Sequence, residues 1–212
     1  MEVDQISQPP PASQPISNSD SSNQSPRPSP VRSPNQNVAL IEVPATFSDC
    51  EEEQLVNVIS DMLTKLTVFN DKIKVTSSNL TRFHSRQAPP ITIGEYLKRC
   101  VKYASLERPV LLMLLVYIDR VCERHRGFVV SSLTVHRFII TALTVGSKTL
   151  CDSFCTNSLY ARVGGISTKE LNTLELEFLF LIDWQLSIES ELLQQYYVNL
   201  MRQSGVYRVK RS

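Results

Sequence analysis

An all-α fold is what this 212-residue chain predicts, and three observations carry the prediction. From about residue 47 onward, apolar residues recur at the three-and-four spacing of one helix face. Helix-start signatures precede these runs: Ser48 with Glu51, Thr92 with Glu95 and Ser167 with Glu170, each a hydroxyl residue followed three positions later by glutamate. No apolar–polar alternation longer than a few residues, the mark of a half-buried strand, interrupts the pattern. Nor does any repeat of fixed period.

Residues 1–46 are dominated by Ser, Pro, Gln and Asn. Such a composition cannot bury enough apolar surface to offset the entropy of ordering, so the segment reads as a disordered tail. It carries Ser25-Pro26, Ser29-Pro30 and Ser33-Pro34, interleaved with Arg27 and Arg32. One reading is a solvated linker. The sharper one makes Ser25, Ser29 and Ser33 targets of proline-directed kinases, where phosphate adds charge without disturbing a core.

Residues 47–88 read as an N-terminal helix and a linker. The helix opens at Ser48 and faces Leu55, Val58/Ile59, Met62 and Leu66/Phe69 inward. The main helical unit covers residues 89–203. Pro89-Pro90 cannot lie within a helix, so the next one starts at Thr92, with Tyr96, Leu97, Cys100 and Val101 as its inner stripe. Pro109 suits the first turn of a third helix. That helix is apolar all round from Val110 to Ile118, which places it in the middle of a bundle.

A fourth helix, about Ser132 to Leu150, faces Val135, Phe138/Ile139, Ala142/Leu143 and Gly146 inward. Gly146 costs about 1 kcal/mol within a helix, so it signals close approach of a neighbouring helix. A loop of about 16 residues follows. Ser167 then caps a fifth helix with Leu171, Leu174, Phe178 and Leu181/Ile182 inward, and Trp184 reads as a core anchor just past its end. A sixth helix spans about Glu189 to Gln203, and residues 204–212 form a basic tail.

The same residues narrow the function. Net charge is +1, so no global attraction to nucleic acid or an anionic membrane is expected. Val110–Ile118, the longest apolar run, is about half a membrane span, and no secretory signal is visible. The five scattered cysteines fit reduced thiols in an intracellular setting, nucleus or cytoplasm. The last basic residues are either a weak nuclear-import signal or a plain charged tail. His84, His125 and His136 show no metal-ligand spacing with cysteine or with one another. No phosphate loop or kinase signature is present. A catalytic, metal or cofactor role is therefore not expected.

Two charged pairs stand out. Lys148 ends the apolar fourth helix and Glu177 interrupts the apolar run from Leu174 to Ile182. They are either ordinary surface residues or a cation and an anion on one edge of the bundle, placed to bind a partner's backbone. Arg99 and Asp119 are expected to form a partly buried bridge fixing how two helices cross.

Linked motifs then suggest a family. Ile93-Gly-Glu-Tyr-Leu-Lys-Arg99, Val116-Tyr-Ile-Asp-Arg120, Val135-His-Arg137, Ser147-Lys148, Tyr160-Ala-Arg-Val-Gly-Gly165 and Leu171-Asn-x-Leu-Glu-x-Glu177-Phe-Leu-Phe resemble cyclins. They are most similar to the plant U/P-type group and the yeast phosphate-pathway cyclin, over about residues 55–202. The resemblance implies a single five-helix cyclin box with an additional N-terminal helix. It implies a regulatory chain, not an enzyme, that binds and activates a cyclin-dependent protein kinase in cell-cycle or nutrient (phosphate) control.

It also implies that Lys148 and Glu177 contact the kinase, and that Asp119 and Arg99 occupy the family's paired positions. Relatives often carry Lys-x-x-Asp-Asp-x-x-Tyr-x-Asn after the third box helix. Here that stretch runs Lys148-Thr-Leu-Cys151-Asp152-Ser-Phe154-Cys155-Thr-Asn157. The rival reading is a cyclin-fold adaptor or transcription-factor-like module that binds another protein or DNA. Relatives of that kind usually carry two boxes and a strongly basic face, neither of which this chain shows.

Overall fold

Seven α-helices and two short strands make up residues 40–210, the part of the chain that the computed structural model describes. The serines Ser25, Ser29 and Ser33 lie outside the described residues. The elements are β1 (Ile41–Val43), a single 3₁₀ turn (Phe47–Asp49), α1 (Glu52–Asn70), α2 (Ile93–Ala104), α3 (Arg108–Arg124), α4 (Val135–Leu150), α5 (Asn157–Gly164), α6 (Thr168–Leu181), α7 (Ser190–Ser204) and β2 (Tyr207–Val209).

The apolar third helix is the axis of the bundle, as its sequence requires. Every residue of α3 from Val110 to Ile118 is buried. It packs against α4, α7 and α1. At Gly146 of α4 a Cβ would lie 3.2 Å from Val110 Cγ1 on α3, tighter than ordinary contact, so the glycine permits the close approach that its helix cost suggested. At Gly164 the demand is stronger, because a Cβ would come within 2.8 Å of Ile140 Cγ1 on α4. Gly165 then turns left-handed at φ 72° and ends α5.

Aromatic rings lock the centre. Phe138 stacks with Phe178, Phe128 and Phe83 at centroid separations of 5.3 to 5.8 Å, and Tyr117 meets Phe178 edge-on. Such pairs add about 0.5–1.5 kcal/mol beyond the area they bury.

Several sequence expectations need correction. The first helix does not open at Ser48: Phe47–Asp49 form the 3₁₀ turn, and α1 starts at Glu52 with no side-chain cap. Phe69, expected inward, is exposed, and Leu63 rather than Met62 is fully buried. The supposed linker after α1 is anchored to the core. Phe83 is fully buried, and Arg137 Nη1 donates to the His84 carbonyl at 2.6 Å. The long loop contains a helix, α5, which the sequence reading missed. Its eight residues are too short to show a clear helical period, and its start signal is one threonine, whose side chain accepts from Leu159 N.

The tail boundaries at 46 and 204 also move. Ile41–Val43 pair in parallel with Tyr207–Val209, and Val43 is fully buried. Tyr197 Oη donates to the Pro44 carbonyl at 2.7 Å, and Gln194 Nε2 to the Ala45 carbonyl at 2.7 Å. Strands of three residues are below the length at which alternation is legible. Helix starts fare better. Thr92 and Glu95 form the full capping box on α2. On α6 only half forms: Ser167 accepts from Glu170 N, while the Glu170 carboxylate turns to Arg137 at 2.6 Å.

Candidate functional site

Lys148 lies in the last turn of α4, where a cation also suits the negative end of the helix dipole. Its ammonium does not meet Glu177. It donates to Glu175 Oε1 at 2.6 Å, with 29% of the lysine side chain and 17% of the glutamate side chain exposed. The other oxygen, Glu175 Oε2, accepts from Asn157 Nδ2 at 2.7 Å, and the same amide donates to Asn172 Oδ1 at 2.7 Å. Three helices therefore converge on one carboxylate: the end of α4, the start of α5 and the middle of α6.

Glu177 is on a different flank. Two residues advance a helix by about 200°, and Glu177 faces Arg82 Nε at a loose 3.7 Å, the arginine 66% and the glutamate 38% exposed. The expected Lys148–Glu177 edge is thus a Lys148–Glu175 edge. Spacing alone did not separate the two glutamates, since both interrupt the same apolar run.

Between these flanks α6 carries apolar residues outward. Leu176 and Phe180 are one helical turn apart and exposed, on the side away from the core residues Leu171, Leu174 and Phe178. Trp184 was expected in the core. It is 55% exposed, and its ring meets Phe180 edge-on at 5.8 Å. Leu150 and Phe154, just past Lys148, are exposed as well.

Trp184 is held there deliberately by the backbone. Asp183 and Trp184 both sit in the left-handed region, at φ 52° and 57°. Non-glycine residues there cost of the order of 1–3 kcal/mol each and persist only where surroundings over-determine them. The surroundings are on α3. Arg120 donates to the Gln185 carbonyl at 2.6 Å and the Ser187 carbonyl at 3.1 Å. Tyr117 Oη donates to the Leu186 carbonyl at 3.0 Å, and Arg124 pairs with Asp183 at 3.1 Å. The basic end of α3 thus clamps the turn that displays the tryptophan.

The Arg99–Asp119 bridge is absent. The packing explains this: α2 lies against α1, α4 and α5, whereas α3 lies against α1, α4 and α7. Asp119 Oδ2 instead accepts from Tyr196 Oη of α7 at 2.6 Å. The Arg99 guanidinium lies over the Tyr96 ring at 5.0 Å, with its Nε buried and unpartnered.

The cysteines are free thiols. Burial pushes Cys100 up to about 12; burial and then the nearby Glu107 push Cys151 up to about 11. Neither is a thiolate nucleophile near neutral pH. Among the described residues no group of three or more His, Cys, Asp or Glu side chains is placed to hold a metal ion, and no helix is long and apolar enough to cross a membrane.

The geometry is that of a helical bundle presenting a polar bracket beside an exposed apolar ridge. Sequence comparison gives its class. The cyclin family model matches residues 4–186, and the chain belongs to the cyclin family. It is 48% identical over 164 residues to the Nuc-1 negative regulatory protein preg of Neurospora crassa, covering 76% of this chain and 34% of that protein. It is 42% identical over 155 residues to the PHO85 cyclin PHO80 of Saccharomyces cerevisiae, covering 71% of this chain and 53% of that one. Cyclin-U1-1 of Arabidopsis thaliana is 34% identical over 164 residues, covering 76% of this chain and 78% of that one. The matched region is about a third of the first relative's length and about half of the second's.

Proposed function

We propose that this chain is a non-catalytic regulatory subunit that binds and activates a cyclin-dependent protein kinase, acting inside the cell in cell-cycle or nutrient control. The single observation that carries the reading is the Lys148–Glu175 pair, half-buried and fixed, with the Leu176–Phe180–Trp184 ridge beside it. An exposed apolar ridge of this kind seeks cover by another protein. A cation and a carboxylate at its border supply charge-assisted hydrogen bonds to backbone carbonyls and amides of that partner.

The mechanism is conformational. Kinases require an ion pair between an active-site lysine and a glutamate on a mobile helix. A rigid ridge packed on that helix holds the glutamate inward, and its binding energy selects the active conformation. Three sequence features enter as proposals of the same kind. Glu175 takes the kinase-facing role first assigned to Glu177. The proline-directed sites Ser25, Ser29 and Ser33 receive regulatory phosphate. Neither a metal nor another cofactor takes part.

The test is affinity purification of the full chain with added PHO85 of Saccharomyces cerevisiae, followed by a histone-type kinase assay. Co-purification with activity above that of PHO85 alone is expected. A stable complex with some other protein and no kinase activity would favour the adaptor reading.

A further inference from the structure

Asn157 is the first residue of α5, and it holds the centre of the polar bracket. Its side chain faces two acceptors, Glu175 Oε2 and Asn172 Oδ1. A carboxylate can only accept, so the atom facing it must be the amide nitrogen. Both N–H bonds of that nitrogen are thereby used. Without them Glu175 would keep one oxygen on Lys148 and have its other oxygen half-buried with no partner, free to swing toward solvent. With them the carboxylate plane is fixed, and the 2.6 Å contact aims the Lys148 ammonium with two of its three N–H bonds still free.

We propose that Asn157 is a positioning residue for partner docking: it acts through Glu175 to preorganise Lys148 before the partner arrives. This rests on the kinase-regulatory reading above. Preorganisation matters because ordering a long side chain at an interface consumes binding free energy, which a fixed lysine has already spent in folding. In the stretch after the lysine, Cys151 and Cys155 depart from the pattern that similar cyclins often carry, while Asp152 and Asn157 keep it. The structure shows the place of Asn157 to be the contact with α6.

The experiment measures affinity of the full chain for purified PHO85 by calorimetry, with wild type, Asn157→Ala, Asn157→Asp, Lys148→Ala and the double variant Asn157→Ala/Lys148→Ala. Asn157→Ala should weaken binding about tenfold. Asn157→Asp should weaken it further, because a second carboxylate then faces Glu175. A purely structural role predicts the reverse order, since aspartate in the first turn of a helix favours the helix dipole. In the Lys148→Ala background the alanine change at Asn157 should have little added effect.

Equal binding by wild type and Asn157→Asp overturns the proposal, as does full additivity in the double variant. If wild type itself does not bind the kinase, the functional reading fails. Melting of the single variants then decides the bracket separately: with no change at either Asn157→Ala or Lys148→Ala, the bracket is overturned too.

Discussion

Two ion pairs on different flanks of α6, Lys148–Glu175 and Arg82–Glu177, differ in length, burial and support. Lys148–Glu175 is short, mostly buried and braced by two asparagines. Arg82–Glu177 is long, mostly exposed and unsupported. Solvent-exposed pairs contribute about 0–1 kcal/mol and are screened by salt. A pair drawn partly out of water and held by further hydrogen bonds is both stronger and more fixed. What distinguishes the proposed docking pair from Arg82–Glu177 is therefore the network behind it, and not the charge or its place in the chain.

The sharpest break in that comparison comes from charge reversal. Glu175→Arg should abolish kinase association, about 3 kcal/mol or a hundredfold and more, because it leaves Lys148 facing a like charge in a half-buried site. Glu177→Arg should change affinity less than about threefold. Binding isotherms of the two variants decide it, and equal losses would show that the network confers nothing.

The ridge between the flanks should behave as interface and not as core. Trp184→Ala is expected to cost about 2 kcal/mol of binding, in the range of an aromatic anchor. Its effect on melting should be small, since over half of the side chain is exposed in the free chain. Phe180→Ala should act in the same direction more weakly. Calorimetry paired with thermal melting separates the two effects. A large stability loss at Trp184 would return it to the structural role that its sequence suggested.

The same contrast sets what was legible from sequence. The interior was readable because it is built on periodicity. An all-apolar α3 had to be central, and Thr92–Glu95 and Ser167 had to start helices. The edge was not readable, since its decisive features are non-local. Glu175 and Glu177 look alike until the rotation of α6 is fixed. Trp184 looks like core until two left-handed residues, held by Arg120 and Arg124 some 60 positions earlier, turn it outward. Asn157 lay inside what read as a loop. Arg99 and Asp119 looked like a bridge because residue types were compatible, but Asp119 turns to Tyr196 on α7 and Arg99 lies over the Tyr96 ring.

That last pair gives a smaller prediction. Tyr196→Phe should cost about 1 kcal/mol of stability, the usual value of one hydrogen bond, and Asp119→Ala should cost no more than about 2 kcal/mol. In a double-mutant cycle, Arg99→Ala and Asp119→Ala should be additive within about 0.5 kcal/mol. A coupling above about 1 kcal/mol in denaturant unfolding would restore the bridge.

The smallest effect runs along α4, from the lysine at one end to a histidine at the other. His136 is buried; its Nε2 lies 3.0 Å from the Ile91 carbonyl, its Nδ1 is unpartnered, and its ring meets Tyr96 edge-on with centroids 4.9 Å apart. Burial lowers its pKa from the usual 6.5, the Ile91 contact works against that, and nearby Arg99 adds to the lowering. His84 is lowered by burial in the same way. The unfolded chain therefore binds protons first as pH falls, so stability is full above about 6.5 and declines from there down to the lowered folded-state values. The slope cannot exceed about 1.4 kcal/mol per pH unit for one histidine. Melting curves between pH 8 and 5 should show this decline in the wild type and a shallower one in His136→Gln, whose amide can still donate to Ile91. Identical slopes would remove His136 from the account and leave the decline to His84.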